Sequence, residues 1–137
     1  MTPRRKSWKT WKRGPSNQPV PESVQQELAA RLLRHVTQHW KNRVRKILLR
    51  FHGRYAYVAV VEPAPGEETI PQVCRYVEEE EYPLQLCRLG YIGSRNRWEY
   101  AFFKYSTEKY APSVCASGSF VATPEEAFNS SAVYLQG

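Results

Sequence analysis

The chain has 137 residues, 42% apolar and 24% charged, a length and balance that fit one globular domain. Its apolar runs fall short of the roughly 18 residues a membrane span needs, and the N-terminus carries no apolar core of a secretory signal, so a cytoplasmic protein with no membrane partner is expected. The net charge of +7 is unevenly divided: residues 1–54 hold 14 Lys/Arg and two Glu, a net of +12, and residues 55–137 hold 6 Lys/Arg and 11 Glu, a net of −5.

That polarity predicts a polyanion-binding arm on a mildly acidic body. Residues 1–20, "MTPRRKSWKTWKRGPSNQPV", carry six of the cations, no acid, and Gly-Pro and Gln-Pro breaks. They read as a flexible basic tail. Trp8 and Trp11 alternate with Lys9 and Lys12, a mix that serves stacking plus charge on a single strand. The same tryptophans also suit simple docking on the body.

A helix is predicted over residues 22–41. Pro21 suits its first turn and Ser23 with Gln26 forms a capping box. Val24, Leu28, Leu32, Val36 and Trp40 recur at four-residue steps, with Ala29 and Leu33 widening the apolar stripe. Arg31, Arg34, Gln38 and Lys41 fall off it and are expected to face water. The next stretch, "ILLRFHGRYAYVAVV", admits two readings. The helix could run on to Gly53, or Ile47, Leu49 and Phe51 could line a strand that turns back at His52-Gly53. A continued helix would reach about 30 residues, far above the usual length, which favours the hairpin. Phe51 would then oppose Arg54, Arg50 would oppose Tyr55, and Leu48 would oppose Tyr57. Ile47, Leu49, Phe51, Ala56, Val58 and Val60 would form a core face. Lys46, Arg50, Tyr55 and Tyr57, beside Leu48, would form a basic, aromatic face of the kind that binds nucleic acid, or one where Tyr and Arg simply meet water.

Residues 62–83 are punctuated by "EPAPGEE", a short strand in "IPQVCRYV", and four glutamates at 78–81 that read as a solvated turn. A second hairpin follows, "LQLCRLGYI" and "RWEYAFFKY" around the turn formers of "GSRN". Trp98, Tyr100 and Phe102 alternate with Glu99, Ala101 and Phe103, so this strand is expected to be covered on both faces. "STEKYAPSVCASGSF" reads as a loop or irregular strand. The last helix is predicted over residues 124–135: Thr123-Pro124-Glu125-Glu126 is a Thr-x-x-Glu box with Pro in the first turn, and Ala127, Phe128, Ala132 and Leu135 supply its apolar stripe.

Catalytic and metal signals are sparse. Cys74, Cys87 and Cys115 are odd in number and lack a C-x-x-C, which points to small buried hydrophobes. His35 and His39 have metal-ligand spacing on one helix side, with no third ligand near in sequence. Ser106 and Lys109 match S-x-x-K, but at a strand end instead of a helix start. Cys115 lies among small residues with no base nearby in sequence. No P-loop, G-x-S-x-G or G-x-G-x-x-G occurs, and the absence of Asp removes the residue most used to hold Mg²⁺. No cofactor is expected, and nothing supports an enzyme.

The order of helix, strands and helix resembles the double-stranded RNA-binding domain, which presents basic residues at the start of its last helix. Here Glu125 and Glu126 stand at that point and would repel phosphate. Strands followed by "TPEEA" are also similar to small antitoxin proteins. "RFHGRYAYV", "PLQLCRLGYIG", "RWEYAFFKYS" and "SGSFVATPEEAF…YL" together resemble a family of small uncharacterised bacterial proteins, over most of residues 50–135. The tail and the insert near 67–82 lie outside that resemblance, which implies no activity.

These readings combine into one α+β domain over residues 21–137: a four- to five-stranded antiparallel sheet with an N-terminal and a C-terminal helix. The expected function is non-enzymatic binding of DNA or RNA. Arg4, Arg5, Lys6, Lys9, Lys12 and Arg13 would neutralise phosphates, Trp8, Trp11 and Tyr55 would stack, and Arg43, Arg45, Lys46 and Arg50 would extend the track. The alternative is an antitoxin-like regulatory module that docks an acidic protein.

Overall fold

The computed structural model describes residues 18–75, 83–115 and 117–135. Helix α1 spans Glu22–His39, and its stripe of Val24, Leu28, Leu32 and Val36 is buried. Each of these side chains contributes roughly 1.5–3 kcal/mol of apolar burial. The expected capping box does not form. Pro21 is itself the N-cap and accepts no side-chain bond, so Ser23 already lies inside the first turn. Instead Gln25 donates from Nε2 to the Val20 carbonyl at 3.0 Å, and Ser23 Oγ accepts from Arg95. The helix ends two residues before the sequence reading placed it. Trp40 leaves helical geometry at φ −133°, which turns its indole onto Phe128 at 6.0 Å between centroids.

Strands β1 (Lys46–His52) and β2 (Tyr55–Val61) form the expected hairpin, so the continued helix is excluded. Its register differs from the expected one. His52 pairs with Tyr55, Arg50 with Tyr57 and Leu48 with Ala59, which leaves Gly53-Arg54 as the turn. The physical reason is on both sides of the strand. Gly53 takes the first turn position at φ +59°, as a glycine-first primed turn requires. Arg54 also leaves the core face, where the other register would set it against Phe51. The face assignment survives, because Ile47, Leu49, Ala56, Val58 and Val60 are buried in one cluster with Phe51 packed beside them.

Strand β3 (Gln72–Arg75) runs parallel to β1, and β4 (Leu84–Tyr91) pairs antiparallel with β2. Between Val58 and Ala59 the β2–β4 register shifts, leaving Leu86 without a partner. This bulge lets Leu86 and Cys87 in succession reach the core. Strand β5 (Trp98–Lys104) lies against β4, and its far edge holds β6 (Lys109–Pro112) and β7 (Val121–Ala122) end to end. Among the described residues the sheet thus has seven strands in the path β3-β1-β2-β4-β5-β6, with β7 beside β5. The α+β class stands, but the sheet is larger than the four or five strands expected and is mixed through the parallel β1–β3 pair. The expected short strand in "IPQVCRYV" is β3. The additional strands, β6 and β7, are four and two residues long, too short to show a period of their own.

Helix α2 (Pro124–Ser131) follows the expected cap: Thr123 accepts the Glu126 N–H. The last turn tightens into a 3₁₀ segment, Ala132–Leu135, a common way for a helix to end. Arg43 donates to the Leu135 carbonyl there. Both helices lie over the same sheet face. Trp98 and Phe128 are the largest side chains sealed between them. Arg31, expected in water, instead clasps Glu125 through two bonds at 3.0 and 2.7 Å, tying α1 to α2.

Candidate functional site

With both helices on one side, the alternation of each strand assigns the rest of its side chains to a face that no described helix covers. On β1 and β2 these include Arg50, Tyr55 and Tyr57, on β4 Gln85 and Arg88, on β5 Phe103, and on β6 Tyr110. The rings form a chain across the sheet. Tyr55 lies 6.2 Å from Tyr57, Tyr57 5.3 Å from Tyr110, and Tyr110 4.9 Å from Phe103, measured between centroids. Phe103 then meets Tyr105 edge-on at 4.7 Å, and Tyr105 meets Tyr134 at 4.9 Å.

Three arginines are threaded through these rings. The Arg50 guanidinium sits 4.2 Å from the Tyr57 centroid, its cross-strand partner. Arg88 lies 4.3 Å from Tyr55 and 5.7 Å from Tyr110. Arg54 lies 4.5 Å from Tyr55 and donates from Nη2 to its hydroxyl at 3.0 Å. Each such contact is worth about 0.5–1 kcal/mol at an exposed site, enough to hold a cation in place without neutralising it. Arg54 is different, because its Nη1 stands 2.9 Å from Glu99 Oε1. Gly90 makes that pairing fit, since a Cβ there would come within 2.9 Å of both atoms. Arg50 and Arg88 contact no carboxylate among the described residues. They leave positive charge on the face.

A concavity of about 580 Å³ opens beside Arg50, with Leu48 and Ala59 as its floor and Tyr57, Phe103, Tyr110 and Gln85 around it. Burial pushes the Tyr110 hydroxyl up to about 12, against the opposing charge of Arg50, so this tyrosine stays a hydrogen-bond donor. Another hollow, about 690 Å³, lies between α1 and the β1–β3 edge. It is lined by Glu22, two glutamines, Arg50, Arg75, Cys74 and aliphatic chains, with Phe51 as its single ring, and offers far less stacking surface.

The expected site residues separate. Arg50 and Tyr55 lie together on the open face, with Lys46 at the far end of the same side of β1. Arg43 is turned toward the end of the chain, where it bonds Leu135, and half-buried Arg45 holds its backbone to Val61 and Gln72. These four do not line one track. Arg4, Arg5, Lys6, Trp8, Lys9, Trp11, Lys12 and Arg13 lie outside the described residues, as do residues 78–81. Arg88, Tyr110 and Phe103 went unrecognised in the sequence. The alternation of Cys87, Arg88 and Leu89 held the signal for Arg88, because an arginine between two core residues must point outward.

The other candidates acquire structural roles. His35 Nε2 bonds Asn129 Oδ1 at 2.8 Å, and Trp40 Nε1 donates to the same oxygen at 3.0 Å. No group of three or more ligand-type side chains that could hold a metal occurs among the described residues. Burial pushes the Cys115 thiol upward and the Cys87 thiol to about 12, the opposite of an activated thiolate. No helix among the described residues is long and apolar enough to cross a membrane. No family model, no curated protein and no solved structure matches the chain.

Proposed function

We propose that the protein is a non-enzymatic nucleic-acid-binding accessory protein of the bacterial cytoplasm, which holds a single strand of DNA or RNA against the open face of its sheet. The observation that carries this reading is the pair Arg50 and Arg88, interleaved with Tyr55, Tyr57, Tyr110 and Phe103 and lacking a carboxylate partner among the described residues. Rings accept bases at about 1–3 kcal/mol each, and the two guanidinium groups meet the phosphates between them. A single strand is favoured over a duplex because stacking needs base faces that a duplex hides. The six Lys/Arg of residues 1–20 add long-range attraction.

The test is a low-salt titration with a labelled single-stranded decamer and with its duplex. The reading expects the single strand to bind more tightly, and Tyr57→Ala to weaken it more than the duplex. Absence of binding to either removes it. Arginine with tyrosine also serves protein interfaces, which keeps the antitoxin-like reading as the second one. A stoichiometric complex with an acidic protein that persists at high salt, and ignores Tyr57→Ala, would choose that reading instead.

A further inference from the structure

Resting on that single-strand reading, we infer that the concavity between Tyr57, Tyr110 and Phe103 receives one unstacked base and that the Gln85 side-chain amide donates to an acceptor on its edge. The volume, about 580 Å³, lies in the roughly 300–1,000 Å³ range of small-molecule sites, so a base enters without displacing the sheet. Its floor, Leu48 and Ala59, offers no polar side-chain atom. Arg50 on the rim already lies over Tyr57, placed for the phosphate that accompanies the base. Beside the Tyr57 and Tyr110 hydroxyls, Gln85 supplies the lining with a side-chain amide.

Gln85 is held at two points. Its backbone N–H donates to the Tyr105 hydroxyl at 2.6 Å, and its side-chain Oε1 accepts from the Tyr110 hydroxyl at 3.3 Å. The second bond fixes which way the amide faces. With the oxygen engaged, the Nε2 hydrogens are left to donate, and no described residue accepts them. A donating amide rewards a base, because every base edge presents an acceptor, a carbonyl oxygen or a ring nitrogen.

The experiment measures anisotropy of a labelled thymidine decamer, and of the same decamer with the non-polar isostere difluorotoluene in place of thymine, with the full chain and with Gln85→Leu, which keeps side-chain bulk and loses the donor. The readout is the ratio of the two dissociation constants, so that any baseline difference between the oligonucleotides cancels. The wild-type preference for thymidine is expected to exceed that of Gln85→Leu by about fivefold, the worth of one net hydrogen bond, with binding of the isostere decamer unchanged. Tyr110→Phe, which frees the amide to rotate, should lose part of the same preference, and it carries the test if Gln85→Leu fails to fold. Binding of both decamers with equal ratios in all three proteins overturns the base-reading amide and leaves the single-strand reading intact. No binding of either decamer by the wild type overturns both.

Discussion

Arg31 and Glu125 come from the two helices, 94 residues apart in the chain, and their side chains are 17% and 30% exposed. Burial pushes the Glu125 carboxyl upward, but the Arg31 hydrogen bond, its own backbone N–H and the Arg31 charge outweigh burial and hold it below its ordinary value. A carboxylate depressed in the folded state adds stability above its unfolded pKa and loses it as pH falls through the folded one. Arg31→Met is therefore expected to cost about 1–3 kcal/mol at pH 7. The gap to wild type should narrow as urea melts are taken into the acid range, below the ordinary carboxylate pKa. A gap that does not change with pH would mean the arginine acts through packing alone. A second residue-scale pair is Tyr100 and Ser131, whose hydroxyls meet at 2.7 Å in the core. Ser131 is fully buried, so Tyr100→Phe strands a polar group. We expect a loss of about 1–3 kcal/mol, and the double variant Tyr100→Phe/Ser131→Ala should be less destabilised than the two single losses sum to. A chemical denaturation cycle checks this.

At the scale of elements, local signals were the legible ones. The stripe of α1, the Thr123 cap and both hairpins could be read because each rests on residues within a few positions of one another. The caps carry direct predictions. Thr123→Ala removes the acceptor for the Glu126 N–H and should cost about 1 kcal/mol. Gly53→Ala should cost about the same, for a different reason. Nothing lies within 4 Å of a Cβ built there, so the penalty comes from the left-handed backbone alone. Thermal melts of both check the scale, and a neutral Gly53→Ala would contradict the observed turn. Pairings with distant partners were illegible. The short strand in "IPQVCRYV" was expected, but not that β3 finds β1 in parallel, while β6 and β7 pair along the edge that β5 leaves for both. The turn was misplaced by one residue, and the cross-strand partners therefore by two, because His-Gly and Gly-Arg are both acceptable turns locally. Core packing of Phe51 against Ala56 decided between them.

For the whole molecule, the +12 of the first 54 residues described a real excess but not its geography. Arg31 is tied to Glu125, Arg43 to Leu135 and Arg54 to Glu99. Among the described residues, the open face draws cations from both parts of the chain, Arg50 in the first third and Arg88 beyond it. Half of the candidate site was thus legible, in the alternation of Arg50, Tyr55 and Tyr57. The other half needed the sheet order, because only β4 and β6 in their observed places bring Arg88, Tyr110 and Phe103 to the same face. The bulge at Leu86 also disturbs the alternation that would have flagged β4. The most direct test of the account is the salt dependence of single-strand binding for the full chain and for Arg50→Gln/Arg88→Gln. If this face holds the strand, the double variant binds at least tenfold more weakly at low salt, and its log–log salt slope is shallower by about 0.7 for each cation removed. Equal affinity and equal slope in the two proteins would contradict it, and would move any binding off the sheet.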